Sequence, residues 1–426
     1  SAASDVYKRQ VKGCFDLFFH FLCLQVQHFC YILPSHFRCI CLEFLNWSFN
    51  RLLFIYIISI TMRILLYFLL ILLVGCSSGQ NKKTHERVDL DSVPVYTNPL
   101  LSRGGDPWAV FHNGIYYYTQ SMSDRITLWA TDDITRLAEA SQKDVWVPQN
   151  SSNAFHLWGP EIHYINNKWY IYCCADDGNI DNRQIYVLEN ESADPMKGEF
   201  VMKGRISTDE DNNWAIHAST FEHGGKRYLI WCGWQKRRVY QENQCIYIAE
   251  MENPWTLASD RILISEPEYE WECQWISIDG NKTAYPIRVN EAPQFFYSLK
   301  KDKLLIYYSA SGNWTPYYCV GLLTADTDSD LLNPASWKKA PEPVFKQAPE
   351  NHVYGPGSIC FIPSPDGKEW YMLYHARKSL YDMLVLDSRT PRMQKIEWDK
   401  EGIPVLGIPQ KEGFPLRKPS GTPERK

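Results

Sequence analysis

The sequence predicts an all-β chain folded as a five-bladed β-propeller, on three observations. From residue 98 onward one unit recurs five times at a period of roughly 55 to 75 residues. Each unit opens on a short apolar run, turns at Gly, Asn or Asp-Gly, and continues in an aromatic-rich strand, the pattern of antiparallel hairpins. No ten-residue stretch of helical periodicity separates these strands, which argues against an alternating strand–helix fold. Small sheets recurring at that period suit propeller blades better than a sandwich.

The first unit runs Asp106-Pro-Trp-Ala-Val-Phe111, turns at His112-Asn-Gly114, and returns as Ile115-Tyr-Tyr-Tyr-Thr119. The second is Gly159-Pro-Glu-Ile-His-Tyr164, Asn166-Asn167 and Lys168-Trp-Tyr-Ile-Tyr172, with Gln184-Ile-Tyr-Val-Leu188 behind it. The third is Ala215-Ile-His-Ala-Ser-Thr-Phe221, Gly224-Gly225, Arg227-Tyr-Leu-Ile-Trp231 and Cys245-Ile-Tyr-Ile-Ala249. The fourth is Glu291-Ala-Pro-Gln-Phe-Phe-Tyr297, Lys301-Asp-Lys303, Leu304-Leu-Ile-Tyr-Tyr308 and Cys319-Val-Gly-Leu-Leu323. The fifth is Gly355-Pro-Gly-Ser-Ile-Cys-Phe361, Asp366-Gly367 and Glu369-Trp-Tyr-Met-Leu-Tyr374.

Residues before 98 read differently. Residues 1–61 are apolar without a period, crowd five cysteines together, and offer neither caps nor turns. Residues 4–10 resemble one reading frame of a transposase end used in sequencing libraries, so 1–61 is read as translated adapter and upstream DNA. The alternative is a membrane anchor in the apolar stretch 52–74. Met62-Arg63, an apolar run at 64–74 and Leu73-Val-Gly-Cys76 make an export signal. That last tetrad resembles a bacterial lipobox, with Cys76 as the lipidated residue of a protein anchored in the cell envelope. The expected organisation is then a signal at 62–75, a tether at 76–97, the propeller at 98–410 and a tail at 411–426.

Composition narrows the function. With 22% charged and 14% aromatic residues the chain is neither disordered nor collagen-like. Its net charge is −5; residues 1–75 hold six basic and three acidic residues, so residues 76–426 carry −8. That balance argues against nucleic acid as a partner, and a monomer is expected. Beyond Cys76 lie seven cysteines with no Cys-x-x-Cys, expected as buried thiols rather than a metal site. Fifteen of the 16 Trp fall in the mature part, and flat rings with a polar edge suit sugar faces as well as cores.

The innermost strand of each blade lines a propeller's axial channel. Aligning the repeats brings Asp106, Glu161, His217, Glu291 and Ser358 to equivalent positions. Four of the five are ionisable, set beside Pro or small residues in apolar strands. Buried carboxylates are costly unless paired or exposed to a wet pocket, so a converging set marks a candidate site. Two carboxylates across a pocket, one protonated and one ionised, are what glycoside hydrolysis requires.

Several motifs in order strengthen this. They are Arg103-Gly-Gly-Asp-Pro-Trp108, Trp158-Gly-Pro-Glu161, Trp214-Ala-Ile-His217, Asn290-Glu-Ala-Pro293, Tyr307-Tyr-Ser-Ala-Ser-Gly312, Gly321-Leu-Leu-Thr-Ala325, Tyr354-Gly-Pro-Gly357 and Tyr374-His-Ala376. Through them the stretch from 98 to 409 resembles glycoside hydrolase family 43, five-bladed propellers that include α-L-arabinofuranosidases, β-xylosidases and arabinanases. The resemblance implies an inverting reaction with Asp106 as general base and Glu291 as general acid. It also exposes two departures. The family usually has an Asp where this chain has His217, and that Asp orients the acid and keeps it protonated. Many relatives carry a His at Ser358 that helps hold an axial ion, so a central calcium is doubtful here and no cofactor is expected.

Trp108, Trp158, Trp214 and Glu161 are expected to bind substrate, as are Arg389 and Arg392, although either arginine could instead close the propeller with a salt bridge. Trp271-Glu272-Cys273 resembles the acid motif of invertase-type fructosidases, but their Asn-Asp-Pro-Asn is absent, so Glu272 is expected in a loop or at the rim. Asp326-Thr-Asp-Ser-Asp330 lacks the Gly and terminal Glu of a calcium loop and reads as a turn. The resemblance implies release of pentosyl units, foremost α-L-arabinofuranosyl, from arabinose- or xylose-containing polysaccharide or oligosaccharide. The alternatives are a β-xylosidase and a non-catalytic carbohydrate-binding surface lipoprotein.

Overall fold

The computed structural model describes residues 94–236, 243–276, 281–380 and 388–424. The upstream stretch, the export signal, Cys76 and the tether as far as residue 93 lie outside these. Among the described residues five antiparallel sheets follow one another along the chain. Blade I is built of Trp108–His112, Ile115–Thr119, Ile126–Thr131 and Ser141–Trp146, and blade II of Phe155–Ile165, Lys168–Asp176, Gln184–Asn190 and Val201–Arg205. Blade III comprises Ala215–His223, Lys226–Trp234 and Gln244–Asn253, whose last strand pairs with both Thr256–Leu257 and Ile262–Ser265. Blade IV is Asn290–Tyr297, Lys303–Ala310, Cys319–Asp326 and Lys338–Lys339, and blade V is Tyr354–Pro363, Trp370–Arg377 and Thr390–Lys395. A separate hairpin, Cys273–Ile276 with Lys282–Arg288, stands between blades III and IV.

The alternation that predicted the strands also builds the core. Successive side chains of a strand point to opposite faces, and in each blade both faces meet a neighbour. Leu304, Ile306 and Tyr308 pack toward blade III, while Leu305 and Tyr307, one residue out of phase, pack toward blade V. Five apolar clusters result, one at each junction between adjacent blades: I–II, II–III, III–IV, IV–V and V–I. This is why the second strands read as nearly unbroken apolar runs: both faces are buried.

Blade V has three strands of its own, and the N-terminal segment completes it. Leu100 N–H donates to Pro391 O and Gly104 N–H to Arg389 O, both at 2.8 Å. The Asn98 side chain bonds Met393 through both its oxygen (2.8 Å) and its nitrogen (2.9 Å). Closure extends past the boundaries expected from sequence. Val95–Tyr96, counted in the tether, pairs with Leu416–Arg417, counted in the tail. Beyond that pair, Lys418 Nζ reaches Asp133 at 2.8 Å and the Ser420 hydroxyl reaches Asp366 at 2.6 Å. The described cysteines are free thiols, buried apart from Cys273.

Candidate active site

Each innermost strand breaks at the same point. Asp106, Gly159, His217, Ala292 and Ser358, one per blade, take left-handed φ between 48° and 56°. The ladders skip at these points in blades II to V, between Trp158 and Glu161, Ile216 and Ser219, Glu291 and Gln294, and Gly357 and Cys360. These are β-bulges, which leave residues unpaired and re-aim side chains beside a site. Pro follows the left-handed residue in blades I, II and IV, where a missing N–H costs nothing because no partner strand would receive it. The non-glycine residues hold this backbone at a cost of roughly 1–2 kcal/mol each, borne by the packed blades around them.

The bulges correct the alignment read from sequence. Asp106, His217 and Ser358 are structural equivalents, but Glu291 stands one residue before its blade's left-handed position and Glu161 two residues after. Glu161 therefore sits one layer further along the channel, where Oε1 accepts from Gln294 Nε2 at 2.6 Å and Oε2 lies 3.2 Å from His163 Nε2. The Pro residues mark the true level, since Asp106, Gly159 and Ala292 each precede one, whereas matching the repeats by their charged residues sets Glu161 level with the others.

Asp106 and Glu291 are both buried, and their environments push them apart. Burial alone would raise the Asp106 carboxyl, but Arg389, His217, His375 and the Ser121 hydrogen bond outweigh it and hold the group well below the usual carboxylate range. Arg389 Nη1 lies 3.3 Å from Oδ1 and 3.4 Å from Oδ2. Ser121 donates to Oδ2 at 2.6 Å and itself accepts from the Gly159 N–H at 2.8 Å, which ties blade I to blade II at the carboxylate. The Asp106 N–H donates to His375 Nδ1 at 3.0 Å. Burial, with Arg389 next in weight, holds His375 well below the ordinary histidine range, so it is neutral and able to accept that bond. A Cβ on Gly105 would stand 2.2 Å from Arg389 Cζ, so a larger residue there would displace the guanidinium from Asp106.

Glu291 is raised above the ordinary glutamate value, by burial first. Asp106 adds to the rise, while His217, the Tyr318 hydrogen bond and Arg389 work against it. Tyr318 donates to Oε1 at 2.7 Å. His217 thus acts electrostatically on both carboxyls, and its ring lies against Gly159, where a Cβ would be 2.6 Å from Nδ1. Two carboxyls in mutual electrostatic contact, one shifted toward ionisation and the other toward protonation, can move two protons in a single displacement.

The remaining predicted residues divide. Trp158 rests on the Arg183 guanidinium at 3.8 Å, and Arg183 is buried against Asp176 at 3.0 Å, so the ring stands as a fixed wall beside Gly159. Trp214 is buried in a stack on Trp234, 4.9 Å between centroids, and its indole N–H goes to Ile180 O. Trp108 turns away from Asp106 toward the other end of the channel, donating its N–H to Ile162 O at 2.8 Å. Arg392 is fully buried on Glu412 at 2.7 Å and closes the propeller rather than the pocket. Glu272, expected at the rim, is buried on Lys339 at 2.9 Å, with Tyr308 and Asn290 donating to it. Asp326 pairs with Lys303 at 2.7 Å, and its carbonyl closes a turn with Ser329.

Ser121, Tyr318 and His375 were not singled out from sequence. Only His375 had a signal, as the centre of the Tyr374-His-Ala376 motif. The donors along the channel do not suit a divalent cation. Both Glu161 oxygens are engaged by Gln294 and His163. No three of His, Cys, Asp and Glu converge among the described residues.

A family model described as glycosyl hydrolases family 43 matches residues 96–404. An extracellular exo-alpha-(1->5)-L-arabinofuranosidase of Streptomyces chartreusis is 37% identical over 289 residues, covering 66% of this chain and 83% of its own. A protein of the same description from Streptomyces avermitilis is 36% identical over 332 residues, covering 76% of this chain but only 66% of its own length. The crystal structure of an alpha-L-arabinofuranosidase from Lactobacillus brevis superposes with a TM-score of 0.67 at 30% identity, over 75% of this chain and 98% of that one.

Proposed function

The chain belongs to glycosyl hydrolase family 43, and on that premise we propose that it is an exo-acting α-L-arabinofuranosidase that cleaves terminal arabinofuranosyl units with inversion. It is a glycoside hydrolase by family; the sugar, the mode of attack and the residue roles are the proposed part. The observation that carries them is the split between two buried carboxyls, Asp106 pushed toward its ionised form by Arg389 and Ser121, and Glu291 pushed toward its protonated form by burial.

In the proposed reaction a water gives its proton to Asp106 as its oxygen bonds to the anomeric carbon. Glu291 gives its proton to the departing glycosidic oxygen as that bond breaks. Tyr318 occupies Oε1 of Glu291, which leaves Oε2 to carry the proton toward the leaving group. Arg389 keeps Asp106 charged until the water's proton arrives. Trp158, stiffened by Arg183, walls the sugar's side of the pocket. The names of the Streptomyces and Lactobacillus relatives support arabinofuranose over xylose.

The test is hydrolysis of aryl α-L-arabinofuranoside and aryl β-D-xyloside by the purified protein. Faster release from the arabinofuranoside is expected, with a loss of about 10²–10⁴-fold in Asp106→Asn and in Glu291→Gln. Preference for the xyloside, or wild-type rates in either folded variant, would overturn the reading. Binding without hydrolysis would favour a carbohydrate-binding protein instead. The relatives' description as extracellular supports export. Anchoring through Cys76 is part of the proposal, tested by loss of membrane association in Cys76→Ser.

A further inference from the structure

The axial channel has a second mouth, and it is shaped for a ligand. The strands carrying Asp106, His217 and Glu291 begin at the catalytic end. Five residues on, at Phe111 and Glu222, they have advanced about 16 Å at strand rise. There the far halves of the innermost strands of the other blades, without that of Glu291, line an open cavity of about 480 Å³, within the range of small-molecule sites. Blades I, II, III and V contribute to its walls.

Five rings stand among its lining, Trp108, Phe111, Tyr164, Phe361 and Trp370, beside polar groups in about equal share. Tyr164 is 36% exposed, so the cavity is reachable from solvent. Its charged groups are Arg227 and Glu222, which pair with each other and cancel. Inward of them His163 lies against Trp108, 4.9 Å between centroids, and against Glu161 at 3.2 Å. A site with aromatic rings set among mixed donors and acceptors and no net charge suits neither an anion nor a cation. It suits a neutral polyhydroxylated ring, whose C–H faces stack on aromatics while its hydroxyls both donate and accept.

We infer that this far mouth is a second, non-hydrolytic binding site for a neutral saccharide, separated from the reacting carboxyls by the length of the channel. It would hold a sugar residue of the polymer or product without cutting it. The inference rests on the proposed function only for the choice of sugar. For that reason xylotriose is used beside arabinotriose.

The test is calorimetric titration of the Asp106→Asn protein, which does not consume its ligand, with α-1,5-arabinotriose and, in parallel, xylotriose. Two sites per chain are expected, and Trp370→Ala in that background should remove one, with affinity falling about tenfold or more. Because Trp370 also packs edge-on against Phe296, Tyr164→Ala, on the exposed rim, is the second variant, expected to weaken the same site. In the otherwise wild-type protein both substitutions should leave turnover of aryl arabinofuranoside within about twofold, since that small substrate needs only the catalytic end. Two sites for xylotriose alone would refute arabinofuranose as the substrate while upholding the far site. A single site that survives both substitutions, or no binding of either sugar, would overturn the inference.

Discussion

The Tyr318 hydroxyl donates to Glu291 Oε1 over 2.7 Å, and the same ring stacks parallel on His375, the acceptor of the Asp106 N–H. The two carboxyls proposed for proton transfer are therefore held by partners that touch each other. Because the phenol favours ionised Glu291, its loss makes the acid harder to ionise. Tyr318→Phe is expected to move the alkaline limb of the kcat–pH profile to higher pH while lowering kcat about tenfold through lost alignment. A profile displaced to lower pH would contradict the assignment of Glu291 as the acid.

Asp106 responds in the other direction. It must be ionised to take a proton, so activity is lost as pH falls through its depressed pKa. Arg389 is the strongest of the influences that lower it. Arg389→Gln should bring the acid limb up to higher pH, with the alkaline limb also rising because Arg389 lowers Glu291 as well. Ser121→Ala is expected to shift the acid limb the same way by a smaller margin, because it removes one hydrogen bond and no charge. Rate profiles of the two variants side by side check the order.

His217 stands where the resemblance implies an Asp, and here it works against a protonated Glu291. Replacing it with a neutral side chain removes that opposition, and a carboxylate reverses it. The alkaline limb should therefore rise in the order wild type, His217→Asn, His217→Asp. A kcat gain of severalfold near neutral pH is expected for the Asp variant, since more enzyme then carries the proton on Glu291. An unchanged limb across the series would place His217 outside the acid's field.

The repeats were legible because a strand buried on both faces reads as an unbroken apolar run, as in 304–308, and because turns announce themselves by Gly, Asn and Asp. Asp106 and Glu291 were legible because carboxylates are out of place in apolar strands. The level of Glu161 was not, since matching by charge sets it beside Asp106 while the equivalent residue of its blade is the uncharged Gly159. Ser121 and Tyr318 were hidden for another reason. They reach the carboxyls from loops beyond the second strands, and a Ser or Tyr there is compositionally ordinary. Trp108 misled because an indole beside Asp106 in sequence is turned by the strand to the far mouth, where its side chain lines a different cavity.

The Gly159 bulge is where sequence, strain and site meet, and it permits a sharp test. The residue has φ +52°, its N–H orients Ser121, and a Cβ would come within 2.6 Å of His217 Nδ1. Gly159→Ala keeps every polar group of the pocket, so its effect is steric and conformational. The left-handed backbone costs about 1–2 kcal/mol with a Cβ, and the His217 ring must shift as well. We expect the thermal midpoint to drop and kcat to fall about tenfold or more, because Ser121 and His217 both lose their positions beside Asp106. The double variant Gly159→Ala with His217→Ala relieves the contact but not the backbone strain. It should recover part of the stability and none of the dependence on Ser121, and full recovery of stability would show that the left-handed backbone itself costs nothing.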